Sequence, residues 1–407
     1  MDKRLNTSNP KHLLAQKNIR KLWLNVHLTI ALTIGFFFAV LGLTGSVNVF
    51  IDELEELGLP PVRHEAQAQP RPLDGILQTV QADHPDKTGK WSLRLPGYGN
   101  DYLWLEYPEP VETADEFFAP FRVLVDPYSG EIISEHYWGR TLWTSIYQIH
   151  ASLLTARLGV EIGRLGFDTV CFFGLFLFIS ALTGLYLWWP RWGKFKKSVT
   201  IKRGASPERF YFDLHKTTGF YSSIILLILA FTGFSFSYAD YIKPLIRSFS
   251  AVKEKHLETP DVKSKVIANA PPLSIAQAVA QAGTIFPDAE LRGAETPDGK
   301  DGVYCISKRQ PGEANRKWPR SKVWIDQYSG KVLAVQDPDQ FTAGETFLNV
   351  LWPLHSGEAL GLAGRILWCV SGLAPLALYV TGILRWRQKR RAKRLNAKRP
   401  AKFCPPP

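Results

Sequence analysis

Four uncharged apolar runs limit what this 407-residue chain can fold into. They extend from Leu28 to Ile51, Thr169 to Pro190, Thr217 to Ala239 and Ile366 to Leu384, which is 24, 22, 23 and 19 residues. At 1.5 Å rise per residue, a helix of that length crosses roughly 30 Å of hydrocarbon. A soluble globule can bury one such helix, but four in one chain point to a bilayer. Bulk averages of 45% hydrophobic and 21% charged residues conceal this segregation. The expected fold class is a membrane protein with four transmembrane helices.

Charge sets the orientation. Residues 1–22, 191–216 and 385–407 together hold 24 of the 49 Lys/Arg but only 3 of the 37 Asp/Glu, a net of +21. The long segments 52–168 and 240–365 carry a net of −9. Basic residues collect on the cytoplasmic side of spans, so both termini are expected there and both long segments across the membrane. The basic pI then reports topology rather than nucleic-acid binding. The run RWRQKRRAKR directly follows a span, where an anionic lipid leaflet is its expected partner. The first apolar run is too long for a signal peptide and no A-x-A-like site follows it, so it reads as an uncleaved anchor.

The cysteines Cys171, Cys305, Cys369 and Cys404 form no C-x-x-C pair. That argues against a thiol redox motif, an iron–sulfur cluster or a disulfide framework.

The chain repeats itself. NVHLTIALTIGFFFAVLGLTGSVNVFID (25–52) aligns with DLHKTTGFYSSIILLILAFTGFSFSYAD (213–240) at a constant offset of 188. This places His27 on His215, Thr44-Gly45 on Thr232-Gly233 and Asp52 on Asp240. VDPYSGEII (125–133) matches IDQYSGKVL (325–333). YQIHASLL around His150 matches WPLHSGEAL around His355, Gly163-Arg164 matches Gly364-Arg365, and ALTGLYLWW (181–189) matches YVTGILRWR (379–387). Two parallel halves with two spans each imply a pseudo-twofold axis along the membrane normal.

Each long segment reads as a small α+β module. WSLRLP (91–96), YLWLEY (102–107) and KVWID (322–326) alternate as half-buried strands do, and LSIAQAVAQAGTIFP (273–287) has helical spacing. Asp followed by Ser-Gly marks a turn at 126–130 and at 326–330.

The order His-span-Thr-Gly, D-x-x-S-G module, His, Gly-Arg, span-Thr-Gly resembles the PepSY-associated transmembrane family over about residues 18–390, and the modules resemble PepSY domains. The resemblance implies a bacterial inner-membrane protein of two parallel repeats with two periplasmic α+β PepSY-like domains. It divides the chain as follows: cytoplasmic 1–22, helix 23–51, periplasmic 52–140, interfacial helix and span 141–190, and linker 191–213. The second half follows as helix 214–240, periplasmic 241–345, interfacial segment and span 346–386, and basic tail 387–407. The family includes iron-regulated siderophore reductases of the ferrioxamine-reductase type, which carry two b-type haems.

Four histidines recur at two depths, and ionisable residues near a bilayer are costly enough to imply a use. Met1 is the only methionine, Cys171 and Cys369 do not occupy matching repeat positions, and the spans contain no carboxylates. Imidazole is left, which suits Zn, Cu or haem iron. A tetrahedral Zn site needs further ligands at each level, whereas two trans imidazoles complete a haem. Phe36, Phe37, Phe38, Phe172, Phe173, Phe231 and Trp368 supply apolar surroundings. His27 and His150 of one repeat lie a span apart, roughly 25–30 Å, so one repeat cannot supply both ligands of one metal. The axis pairs His27 with His215 for an inner haem iron and His150 with His355 for an outer one. Arg164 and Arg365 are candidate partners of the outer haem's propionates. His12, His64, His84, His136 and His256 have no repeat partner and read as solvated loop residues, with His136 nearest the outer level.

No nucleotide fingerprint occurs, and the cytoplasmic pieces are too short to fold a nicotinamide or flavin domain. Electrons are therefore expected from a separate donor, either quinol or a cytoplasmic reductase. The expected function is reduction of a periplasmic ferric siderophore with release of Fe(II). No catalytic residue is expected beyond the haems, and no nucleic-acid partner. The alternatives are a non-enzymatic PepSY regulator or sensor, and a transporter. The transporter is disfavoured by the lack of intramembrane acids and by the expectation that no span is broken.

Overall fold

A computed structural model of the chain describes residues 10–62, 69–190, 193–267 and 269–397. The first half runs α1 (Pro10–Thr33), α2 (Gly35–Asn48), α3 (Ile51–Glu55), α4 (Leu73–Asp83), β1 (Ser92–Arg94), β2 (Leu103–Tyr107), β3 (Phe121–Val125), β4 (Ile132–Tyr137), α5 (Leu142–Ser152) and α6 (Val160–Trp188). The second runs α7 (Phe195–Ser198), α8 (Pro207–Arg247), α9 (Ile275–Ile285), β5 (Glu290–Glu295), β6 (Val303–Arg309), β7 (Ser321–Asp326), β8 (Val332–Gln336), α10 (Ala343–Asn349), α11 (Leu351–Ser356), α12 (Gly361–Gly372) and α13 (Ala374–Ala397). Two compact units divide the chain. Met1–Ser46, Phe172–Phe231 and Cys369–Pro407 form one; Val47–Cys171 and Thr232–Trp368 form the other, which holds all eight strands.

Three stretches, Val160–Trp188, Pro207–Arg247 and Glu358–Leu395, are each long and apolar enough to cross a membrane. The first apolar run differs from expectation, because its two helices meet at 64°. The bend falls at Ile34, where small and back-bonding residues converge. The Thr33 hydroxyl donates to the Thr29 carbonyl at 2.8 Å, and a Cβ on Gly35 would stand 2.9 Å from the Tyr379 ring. Such hydroxyls and glycines are where helices bend. The polybasic run RWRQKRRAKR is helical, continuing α13 without a break.

The two modules are one sheet rather than two. Its order is β4-β3-β2-β1-β5-β6-β7-β8, antiparallel throughout. The seam is β1 against β5, with Leu93 opposite Ala294, and it is extended by reciprocal bonds between Trp91 and Thr296. Helices α4 and α9 cover one face. Ile76, Leu77 and Val80 of α4 and Ile275, Ala278 and Ala282 of α9 recur at helical spacing and bury against Leu93, Leu105, Val123, Ile306 and Ile325 in a single core. A Ser274–Gln277 capping box starts α9, a device worth about 1 kcal/mol. Asp74 of α4 also accepts from the Ile275 and Ala276 amides, so the first module caps the second module's helix. In both halves the Asp of D-x-x-S-G accepts two turn amides: Asp126 from Tyr128 and Ser129, Asp326 from Tyr328 and Ser329.

The opposite face is polar and aromatic. The Arg94 guanidinium lies 3.9 Å from the Trp104 ring, and that of Arg122 lies 4.4 Å from Trp104 and 4.3 Å from Trp138. These cations meet acids of α3. Arg122 pairs with Glu55 at 2.8 Å, while Arg94 and Lys317 pair with Asp52 at 3.2 and 2.6 Å. Burial pushes the Asp52 carboxyl up, but Arg94 and Lys317 more than offset this and hold it below its usual value. Removing one member of such a buried pair costs about 3–5 kcal/mol.

Candidate functional site

His27 lies on α1 and His215 on α8, 188 positions apart, yet their ring centroids stand 6.5 Å apart with the planes at 88°. His150 near the end of α5 and His355 on α11 form a second pair, with centroids 6.3 Å apart and planes at 56°. Each pair combines one histidine from each repeat.

Three of the imidazoles, those of His27, His215 and His355, are held by the Thr-Gly dipeptides of facing helices. His27 Nδ1 lies 3.1 Å from both the Thr183 hydroxyl and the Ser180 carbonyl. A carbonyl only accepts, so Nδ1 carries the proton. The Thr183 hydroxyl donates its own proton to Ile179 O at 2.8 Å and accepts from the ring. His215 Nδ1 lies 3.0 Å from the Thr381 hydroxyl, which donates to Ala377 O at 2.6 Å. Thr232 Oγ1 stands 2.8 Å from His355 Nδ1. A neutral imidazole protonated at Nδ1 keeps its lone pair at Nε2, the form a metal takes.

The glycine after each threonine makes room for the ring. A Cβ on Gly184, Gly233 or Gly382 would stand 3.3, 3.3 or 3.5 Å from Cε1 of His27, His355 or His215. A larger side chain there would push the imidazole away. Sequence comparison marked these dipeptides only as repeat landmarks. The signal for their role was a hydroxyl recurring inside apolar runs, where it needs a partner.

The spacing fits a metal held from opposite sides. Two nitrogens each about 2.0 Å from an ion lie ~4 Å apart. Adding roughly 1.1 Å from nitrogen to centroid in each ring gives ~6.2 Å between centroids. Among the described residues, no group of three or more His, Cys, Asp or Glu is placed to hold a metal ion. Among the described residues no third His, Cys, Asp or Glu joins either pair, so a metal between the two imidazoles would take its other donors from a bound ligand. A tetrapyrrole supplies four.

The arginines are differently disposed. Arg164 projects outward with its side chain 61% exposed and pairs with Asp168 one turn on, at 3.2 Å. Arg365 is buried, with Nη1 and Nη2 on Glu53 at 2.6 and 2.7 Å and Nε and Nη2 on Val49 O. It closes the carbonyl end of α2 and stacks 4.4 Å from Phe50.

Three of the remaining histidines are not solvated as expected. His84 pairs with Glu135 at 2.9 Å, His136 with Glu55 at 3.1 Å and His256 with Glu345 at 3.1 Å. The side chain of His12 and the whole of His64 lie outside the described residues, as does Cys404. Cys171, Cys305 and Cys369 are free thiols.

Long apolar helices, imidazoles paired across a duplication and an antiparallel sheet covered by two helices define an α-helical membrane protein with an appended α+β domain. The sequence profile described as PepSY-associated TM region matches residues 24–389, and the chain belongs to that family. No curated protein matches the chain at a significant level.

Proposed function

We propose that the chain is a bacterial inner-membrane dihaem b protein that reduces a ferric siderophore in the periplasm and releases Fe(II). The observation that carries this reading is the pair of imidazole pairs at 6.5 and 6.3 Å, with Nδ1 of His27 and His215 pinned as donors. His27 and His215 would hold the inner haem, His150 and His355 the outer. When bound, the haems supply one-electron carriers, and reduction to Fe(II) weakens a hard-oxygen chelate. The threonines fix ring orientation and keep Nε2 basic. The glycines keep the rings close to the facing helices. Electrons enter from a separate donor, quinol or a cytoplasmic reductase. The basic helix α13 rests on anionic lipid, and the long segments face the periplasm, where their net −9 favours a neutral or cationic chelate.

The test is spectroscopic. Purified protein should show a b-type spectrum. After reduction with dithionite and removal of the reductant, a ferric siderophore should reoxidise it while a chelator traps Fe(II). NADPH alone should reduce nothing. Colourless protein would favour a PepSY regulator, and direct stoichiometric reduction by NADPH would overturn the separate donor.

A further inference from the structure

Helix α8 outlasts its apolar run. The run closes at Ala239, but the helix continues to Arg247. Tyr238 leaves helical geometry at φ −114° and ψ 29°, and Pro244 has no amide to offer the Asp240 carbonyl, so the helix kinks where the run ends. Past the kink it shows three faces. Ile242 is buried, and Ile246 packs against α10, where a Cβ on Gly344 would stand 2.9 Å from it. Lys243 pairs with Asp240 at 2.8 Å and Arg247 with Glu254 at 2.7 Å. The third face is apolar and open. Tyr241 and Leu245 are 79% and 62% exposed, and Phe249, four positions on in the closing turn, is 85% exposed.

The first repeat uses the equivalent stretch differently. The offset of 188 places Glu53, Glu55 and Glu56 on Tyr241, Lys243 and Pro244. Glu53 pairs with Arg365, Glu55 pairs with Arg122 and His136, and Glu56 accepts from the Trp104 indole at 2.6 Å. Acids that tie the chain down in the first repeat are replaced in the second by side chains that cannot. Leu57, aligned with Leu245, is exposed as well, but Glu53 and Pro61 flank it in line where Tyr241 and Phe249 flank Leu245, so it forms no stripe.

The stripe continues a row of aromatic rings. Phe234 and Tyr238 stack 4.8 Å apart, and Tyr238 stands 6.1 Å from Tyr241. Phe234 lies within the apolar run and Tyr241 two positions beyond it. Aromatic rings at the end of a span sit at headgroup level. An apolar face that carries on from a span meets the same lipid, and a helix of this kind lies in the plane of the interface. Its charged groups are already paired with one another or with Glu254, so the contact calls for acyl chains rather than anionic headgroups.

We infer that residues 239–249 lie along the membrane surface, with Tyr241, Leu245 and Phe249 dipping into the acyl boundary of the leaflet in which α8 ends. The partner of this face is lipid, and zwitterionic lipid suffices. The segment is a one-leaflet anchor that holds the start of the second module's chain at the bilayer surface, a role the first repeat gives to ion pairs. The inference rests on the span alone and stands whatever the histidine pairs bind.

The experiment measures depth in a bilayer. The full chain with Cys404→Ser is given Leu245→Cys, Phe249→Cys or Lys300→Cys, labelled with a nitroxide and placed in phosphatidylcholine nanodiscs. All three positions are exposed, so a label fits without repacking. The chain without an introduced cysteine, treated alike, supplies the background from the remaining thiols. Power saturation compares relaxation by oxygen, which concentrates in hydrocarbon, with relaxation by a neutral nickel(II) chelate, which stays in water. The oxygen-to-nickel ratio at 245 and 249 should be about fivefold or more above that at 300, as suits a face roughly 5–10 Å into the headgroup and acyl boundary. It should not change when a fraction of the lipid is replaced by phosphatidylglycerol. Three results would overturn the inference. Equal ratios at all three positions would place the stripe in water. Protection from both agents, with dipolar broadening that unlabelled chain dilutes away, would assign the stripe to a second copy. Protection from both agents without broadening would mean that another part of the chain covers it. A ratio that rises only with phosphatidylglycerol would replace the acyl contact by an electrostatic one.

Discussion

The surroundings of His150 and His355 differ although their repeats match. From His150 to Gly163 the chain advances 13 positions; from His355 to Gly364 it advances 9. Each stretch holds a 3₁₀ turn, Thr155–Leu158 in the first repeat and Glu358–Leu360 in the second, but only the first, longer one carries an arginine, Arg157. Arg157 donates to Gln148 at 3.0 Å, to Ser145 at 2.7 Å and to the Gly139 carbonyl, while Trp138 packs edge-on against Tyr147 at 5.0 Å. Thr144, Gln148 and Ser152 are buried behind this strut. In the second repeat Asn349 replaces Thr144, Trp352 replaces Tyr147 and Pro353 replaces Gln148, and a cavity opens instead. The duplicated scaffold brings the imidazoles together in the same way at both levels, while the side chains behind His150 and His355 differ.

The largest expected effect tests whether each pair is a unit. His150→Ala and His355→Ala should remove the same haem, lowering haem content by about half, because a b-type haem is held through its axial ligands. His27→Ala and His215→Ala should remove the other. If His27→Ala and His150→Ala lost the same haem, pairing across the repeats would fail.

Next is the threonine support. Thr183→Val or Thr381→Val keeps volume and removes the hydroxyl that accepts from Nδ1. Haem affinity of the His27–His215 site should fall about 10- to 100-fold, with a shifted midpoint potential and an intact His150–His355 spectrum. Equal loss at both sites would mean general unfolding instead.

The strut itself comes third. Arg157→Ala should destabilise the haem-loaded protein by roughly 1–3 kcal/mol, since it strands Gln148 and the Gly139 carbonyl. Trp352→Phe should cost less than about 0.5 kcal/mol, because its N–H has no partner to lose. Equal shifts in the thermal midpoint would erase the contrast between a closed and an open side.

The smallest effect is acid sensitivity. Lys87 of the first module bonds Glu112 at 2.8 Å, whereas the second module has Ala289 in the place of Lys87. Hydrogen bonding to Lys87 pulls the Glu112 carboxyl from 4.5 down to about 2. A depressed carboxyl stabilises the fold above its unfolded value and stops doing so as pH falls from 4.5 towards 2. Melting between those pH values should therefore be less steep in Lys87→Met. An unchanged slope would mean that this pair contributes nothing.

The sequence made the spans, the duplication and the pairing of histidines readable, since all three rest on hydropathy and on motifs recurring in order. The turns at Asp126 and Asp326 and the helix beginning at Ser274 were local signals and lie where expected. The seam between β1 and β5 left no such trace: β1 has three residues, and its partner lies some two hundred positions away. The bend at Ile34 depends on the Tyr379 ring beside Gly35, which no local pattern reveals. Arg365 read as an anion binder, but Glu53 already occupies its fork. His84, His136 and His256 read as solvated because their carboxylate partners are distant in sequence.

The seam also sets a timetable for synthesis. Ser92 meets Glu295, 203 positions later. At roughly 5–20 residues per second of translation, the first module waits on the order of 10–40 s with one edge unpaired. Its three residues include Arg94, and a short, charged edge recruits foreign strands poorly. The nascent chain can therefore hold a half-built sheet open until its own second half arrives to close it.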